Sequence, residues 1–183
     1  MAGVKGNRRV LYTKKVIQES LIELLETKKI HQITVTDICK KADINRGTFY
    51  THYKDAFDLL NSMENELFDQ IIKYVDETEV EDYRDILLFK ALELIHQNKQ
   101  LCKILLFNNT EGHVMEKVIT IARKAQIEKL MGDKQIDPMF LDYFIRYTVG
   151  GVFAIIQNWL ENFPDESPQN IADLINKINS FKI

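Results

Sequence analysis

Apolar residues recur along this chain at intervals of three and four. From Tyr12 to about Glu26 they fall at Val16, Ile17, Leu21, Leu24 and Leu25, which predicts an amphipathic helix. Lys28, Lys29 and His31 break the pattern. Thr34-Val35-Thr36-Asp37 then has the form of a capping box, in which Thr34 accepts from the amide three residues on and Asp37 reaches back. A short helix to about Lys41 follows, turning Val35, Ile38, Cys39 and Ala42 inward. Asp43-Ile44 predicts a tight turn, and Asn45 the cap of another short helix, Arg46 to Thr51. Asp55 caps a long helix, with Asp58 complementing its dipole. Its apolar stripe (Phe57, Leu60, Met63, Leu67, Ile71 and Tyr74 or Val75) runs to the acidic break Asp76-Glu77-Thr78-Glu79.

The same period predicts helices near 82–97, 99–107, 111–131 and 138–162, with Asp137-Pro138 as a helix start. Ser167-Pro168 opens a last helix carrying Ile171, Leu174, Ile175, Ile178 and Phe181 on one side. No stretch alternates with period two long enough for a sheet, so the expected fold is all-α, with about nine helices. Composition agrees: 45% of the 183 residues are hydrophobic, and only three are proline.

Charge changes the picture more than composition does. Residues 1–54 hold 11 Lys and Arg against 5 Asp and Glu, and the remainder 13 against 22, so a net charge of −3 conceals a basic front and an acidic body. Such a front suits a polyanion, although a chance excess of solvated lysines fits the same count. Cys39 and Cys102 make no disulfide framework and read as buried, reduced thiols. The basic N-terminus lacks the apolar stretch of a signal peptide. The runs Ile86–Phe89 and Ile104–Phe107 fall far short of the ~20 residues of a membrane span, so a soluble, cytoplasmic protein is expected.

Three helices, the second and third short and closely joined, make a helix-turn-helix, and Ala42, Ile44 and Phe49 supply the small and apolar residues its crossing requires. The stretch Ile33-Thr34-Val35-Thr36-Asp37-Ile38, then Ala42-Asp43-Ile44-Asn45-Arg46-Gly47-Thr48-Phe49-Tyr50-Thr51-His52-Tyr53, resembles the DNA-binding domain of the tetracycline-repressor (TetR) family over about residues 10–60. The chemistry agrees with the resemblance. Arg46 can bond a guanine edge or a phosphate, and Gly47 lets backbone approach the bases. Thr48, Tyr50, Thr51 and His52 offer donors of a length suited to phosphate, while Phe49 faces inward. The resemblance further implies that Thr34 and Thr36 lie beside the backbone of the same groove and that Lys5, Arg8 and Arg9 form a basic arm. Plainer roles fit too: Thr34 as a cap only, and Tyr50 partly in the core. One position departs from the family pattern. Where a phosphate-binding lysine commonly follows Asp55 this chain has Ala56, with Lys54 nearby as a substitute. One phosphate contact fewer weakens binding and flattens its salt dependence.

The resemblance implies two domains: residues 1–54 for DNA binding and 55–183 for regulation and dimerisation. In the second, Tyr147-Thr148-Val149-Gly150-Gly151, then Ile155 to Glu161 and Ser167-Pro168, resembles one C-terminal subgroup of these regulators. It implies a homodimer through the last two helices, using Gly150, Gly151, Ala154, Ile155, Trp159, Ile171, Leu174 and Ile178, and matched to a palindromic duplex operator. A small-molecule pocket could draw on Tyr83, Phe89, His96, Cys102, Phe107, Tyr143, Phe144 and Tyr147, although aromatics at helical spacing are more often plain core. No Gly-x-Ser-x-Gly turn, phosphate loop or His-Glu-x-x-His pair occurs, so no catalytic residue, metal or cofactor is expected. The expected function is a repressor released by a small effector; the alternative is a regulator of the same fold that answers to, or activates through, a protein partner.

Overall fold

The computed structural model describes the backbone of residues 3–77, 83–107, 113–130 and 137–180, and side chains within 8–75, 86–107, 113–123 and 137–180. Every regular element among these residues is helical: α1 (Gly3–Leu25), α2 (Val35–Ala42), α3 (Arg46–Tyr50), α4 (Ala56–Glu77), α5 (Tyr83–Gln97), α6 (Lys99–Phe107), α7 (His113–Leu130), α8 (Pro138–Asn162) and α9 (Pro168–Ser180), with a 3-10 turn at Ile30–Gln32. The chain divides into two compact units, Met1–Phe68 and Asp69–Ile183. The division falls inside α4, beyond the 54/55 boundary, because the first turns of α4 belong to the first unit, where Gln18 of α1 donates to Glu66 (3.0 Å).

In the first unit Ile17, Leu21, Ile38, Phe49 and Leu59 are wholly buried. Each such side chain contributes about 1.5–3 kcal/mol through removal from water. The capping box forms as its spacing predicts: Thr34 Oγ1 accepts from the Asp37 amide (3.1 Å), and the Asp37 carboxylate accepts from the Thr34 amide (3.0 Å). Helix α2 ends on Asp43 in the left-handed region (φ 51°, ψ 48°), a conformation Asp tolerates better than most side chains. The Ile44 amide then bonds back to the Cys39 carbonyl (3.0 Å), which turns the chain sharply enough for α3 to pack across α2. Asp55 caps α4 through the Asp58 amide (2.8 Å), and the Asp58 carboxylate returns to the Lys54 amide (2.9 Å). With the start of the helix fixed there, Ala56, Leu59, Met63 and Leu67 turn inward. Phe57, expected in the stripe, is 51% exposed.

In the second unit α5 packs on α9, and α6 and α7 pack on α8. Its core joins Leu92, Trp159, Ile171, Ala172 and Ile175, with Phe89, Ile155 and others packed against them. The α8–α9 turn is pinned twice: Trp159 Nε1 donates to the Glu166 carbonyl (3.1 Å), and Lys99 Nζ donates to that of Pro164. Asp137 and Ser167 cap α8 and α9 as predicted, accepting from the Met139 and Asn170 amides at 3.1 Å each. Among the described helices α8 alone is long and apolar enough to cross a membrane, with mean hydropathy 1.4 over 18 residues, a feature that a search for short apolar runs misses. Only 11% of that stretch is buried, so much of its apolar surface has no cover among the described residues.

Candidate nucleic-acid interface and regulatory face

Helix α3 is held at both ends. Asn45 Oδ1 accepts from the Thr48 amide (2.7 Å) and from the Thr48 hydroxyl (3.1 Å), while Phe49 anchors the helix with no exposed surface. A Cβ on Gly47 would stand 3.2 Å from that Asn45 oxygen, so glycine here protects the cap as well as keeping the surface low. Arg46 and Tyr50 are both exposed. Arg46 Nη2 donates to the Tyr50 hydroxyl (3.1 Å), and its guanidinium carbon lies 5.8 Å from the Tyr50 ring centroid. The hydrogen bond to Tyr50 pushes the already high pKa of Arg46 further up. Tyr50 in turn meets Phe49 edge-on, with centroids 5.8 Å apart and planes at 84°.

The other expected phosphate donors differ in readiness. Thr51 Oγ1 donates to the Thr48 carbonyl (2.7 Å) and Thr34 Oγ1 to Asp37 (2.9 Å), so these hydroxyl protons, like that of Thr48, are already committed. Thr36 and Lys54 are exposed, and His52 is half-buried beside Tyr53. Arg8 and Arg9 are exposed, but on α1, which starts at Gly3: the expected arm is helical. Lys5 lies outside the residues whose side chains are described. Part of the basic front is spent on ion pairs, Lys15 with Glu19, Lys28 with Asp37 and Lys41 with Glu23. Ala56, where the resemblance implies a lysine, is buried at the first position of α4. The sequence signal for the Arg46–Tyr50 pair was their spacing of four on one helix, which places two side chains one above the other.

Among the described residues, those expected at a pocket divide between core and surface. Phe89 packs against the core, and Cys102 is buried, its thiol pKa pushed up to about 12 by that burial. His96 stacks on Trp159 (5.8 Å, 17°), and its Nδ1 is buried with no hydrogen-bond partner among the described residues. Tyr143, Phe144 and Tyr147 instead stand on the open side of α8, and Phe107 is exposed at the end of α6. The reason is helical phase: Ile145, Trp159 and Leu160 define the inward side of α8, so positions 143, 144 and 147 face away from it. Tyr83 lies outside the residues whose side chains are described. No group of three or more His, Cys, Asp or Glu among the described residues could hold a metal.

The expected interface residues also divide. Trp159 and Ile171 are buried within one chain and Ile155 is half-buried against the same core, so they have little surface to offer a second copy. Gly151, Ala154, Leu174 and Ile178 are exposed. With Phe140, Phe144 and Tyr147, spaced at fours and threes before Gly151, the α8 residues form an apolar strip, and Leu174 and Ile178 lie one turn apart on the exposed side of α9. Beside it Arg146 of α8 bridges Glu116 of α7 (3.0 Å) and Asp142 (3.2 Å), which fixes α7 on α8.

Residues 81–180 match the TetR_C_8 family, a transcriptional regulator C-terminal region. The chain is 24% identical over 176 residues to an uncharacterized HTH-type transcriptional regulator, YxbF, of Bacillus subtilis, covering 91% of this chain and 44% of that one. It is 33% identical over 54 residues to DhaS, the dhaKLM operon transcriptional activator of Lactococcus lactis, covering 30% and 29%. The chain thus spans less than half the length of either curated relative. A solved DhaS structure superposes with TM-score 0.60 at 18% identity, over 92% of this chain and 94% of that one. The Bacillus subtilis regulator FadR, solved in complex with stearoyl-CoA, superposes with TM-score 0.68 at 14% identity, over 90% of this chain and 96% of that one.

Proposed function

This chain belongs to the TetR family of transcriptional regulators, and we propose that it is a bacterial, cytoplasmic homodimer that represses transcription from a palindromic operator until a small effector binds its second unit. It is a regulator, not an enzyme. The observation that carries the proposal is α3: a capped helix, anchored by Phe49, with Arg46 and Tyr50 exposed together on a basic unit. Arg46 reads a base edge, while Thr36, His52, Lys54 and the Tyr50 hydroxyl take phosphates. Thr34, Thr48 and Thr51 contribute chiefly by holding the helices that carry these groups. The second copy docks on the strip from Phe140 through Ala154 with Leu174 and Ile178, a use for the uncovered apolar surface of α8 that requires no membrane. Two α8–α9 pairs then make a four-helix contact about a two-fold axis, which sets the reading helices for successive grooves.

FadR, which shares the fold, was solved with stearoyl-CoA, so long-chain acyl-CoA thioesters are the first effectors to test. A ligand that binds the folded dimer raises its melting temperature in proportion to the logarithm of its concentration, and lowers DNA affinity if it favours the wrong spacing of the reading heads. The second reading, a regulator that works through a protein partner, is favoured by one specific observation, the likeness to the activator DhaS. Melting curves with a metabolite panel, followed by DNA-release assays, separate the two. A hit that both stabilises the protein and releases DNA supports the effector-controlled repressor. Stabilisation by no small molecule, with DNA binding changed by an added protein, supports the other.

A further inference from the structure

We infer that Tyr50 is the positioning residue for Arg46, holding its guanidinium in one place on α3 and thereby fixing which base edge the arginine can reach. The inference rests on the reading of α3 as the helix that reads bases.

Three contacts form a chain from the core outward. Phe49 is wholly buried; the Tyr50 ring meets it edge-on at 5.8 Å; and Arg46 lies against Tyr50 both by a 3.1 Å hydrogen bond and by its charge over the ring. A free arginine on an exposed helix carries about 2 kcal/mol of rotamer entropy, part of which is lost when it makes a bidentate base contact. Here the contacts with Tyr50 restrict those rotamers before DNA arrives. The helix is held at both ends, since Asn45, the residue before Arg46, caps it through the Thr48 amide and the buried Phe49 precedes Tyr50.

The Tyr50 hydroxyl has a second use. It accepts from Arg46 and so keeps its own proton, whereas the Thr48 and Thr51 hydroxyls have given theirs to Asn45 and to the Thr48 carbonyl. Tyr50 can therefore donate to a phosphate oxygen while still accepting from Arg46. One side chain then links the backbone contact, which sets the register, to the base contact, which sets the sequence. The hydroxyl matters for base choice and not only for grip.

The test compares the parent with Tyr50→Phe, Tyr50→Ala and Arg46→Ala. Each is equilibrated with a random duplex DNA pool, the bound fraction is sequenced, and affinity is then measured for the parent's enriched duplex and a scrambled one. Arg46→Ala is expected to lose the preference at one base pair of each half-site. Tyr50→Phe, which keeps the ring and its packing on Phe49, is expected to weaken preference at that same base pair by about fivefold or more. Preferences elsewhere stay as in the parent, and Tyr50→Ala goes further in the same direction. If Tyr50→Phe instead loses affinity equally for both duplexes with every preference intact, Tyr50 is a plain phosphate contact and the inference is overturned. If Arg46→Ala keeps all preferences, the reading-helix assignment itself fails, and this inference with it.

Discussion

A Cβ placed on Gly150 would lie 3.7 Å from Met115 Cε of α7. A Cβ on the next residue, Gly151, would meet nothing among the described residues within 4 Å beyond its own helix. The adjacent glycines therefore serve different surfaces, one closing α8 against its own chain and the other lying open on the proposed dimer strip. Gly150→Ala meets only ordinary van der Waals distance and is expected to leave assembly unchanged. Gly151→Arg puts a charge in the apolar strip and is expected to raise the dimer dissociation constant by about tenfold or more, because an unpaired charge is costly to bury. Sedimentation across a dilution series measures both. A Gly151→Arg variant as dimeric as the parent would remove α8 from the interface.

Ala56 stands where the resemblance implies a phosphate-binding lysine, and its methyl is buried at the start of α4. Ala56→Lys must run its stem along the surface and bring the ammonium out beside Lys54. It is expected to tighten DNA binding and to steepen the plot of log affinity against log salt by about one unit. Lys54→Ala is expected to flatten the same plot by a similar amount. Titrations at four or five salt concentrations read both slopes.

The Asp37 carboxyl is held below its ordinary pKa of 3.8, first by the Thr34 amide, then by the Thr34 hydroxyl, with Lys28 also lowering it. A lowered folded pKa means that this stabilisation is fully present above the unfolded value and is lost as pH falls through the folded one. The melting-temperature gap between the parent and Asp37→Asn is therefore expected to be constant from neutral pH down to about 4. Below that it narrows. Thr34→Ala, which removes the cap oxygen, is expected to cost about 1 kcal/mol. Thermal denaturation across the acid range checks both.

What could be read from the residues was whatever depends on local chemistry. Thr34, Asn45, Asp55, Asp137 and Ser167 cap helices because a short side-chain oxygen satisfies free amides wherever it precedes a helical stripe, and all five do so. Facing was less legible. Phe57 fits the period of α4 yet is exposed, since the cap at Asp55 sets the helical phase and Ala56 and Leu59 take the inner side. The same ambiguity attends Tyr143, Phe144 and Tyr147: an aromatic stripe has the same spacing whether it faces a core, a cavity or another copy. The commitments of Thr48 and Thr51 were hidden because hydroxyls suited to phosphate are equally suited to their own backbone.

Cys39 and Cys102 are both buried, and burial pushes both thiols up, that of Cys102 to about 12. Since the thiolate is the reactive form, neither is expected to react with iodoacetamide in the folded protein at pH 8. Both are expected to react fully once the chain is unfolded in guanidinium chloride. Mass spectrometry after timed labelling reads the two positions separately, and rapid native labelling of Cys102 would contradict its placement in the core.

The central claim is that α3 of a two-fold dimer reads DNA through Arg46, and selection of bound duplexes by the parent protein from a random pool tests it most directly. The predicted product is an inverted repeat whose half-site centres lie about one helical turn, or a small multiple of it, apart. Enrichment of single, unpaired half-sites, or of no sequence at all, would contradict it.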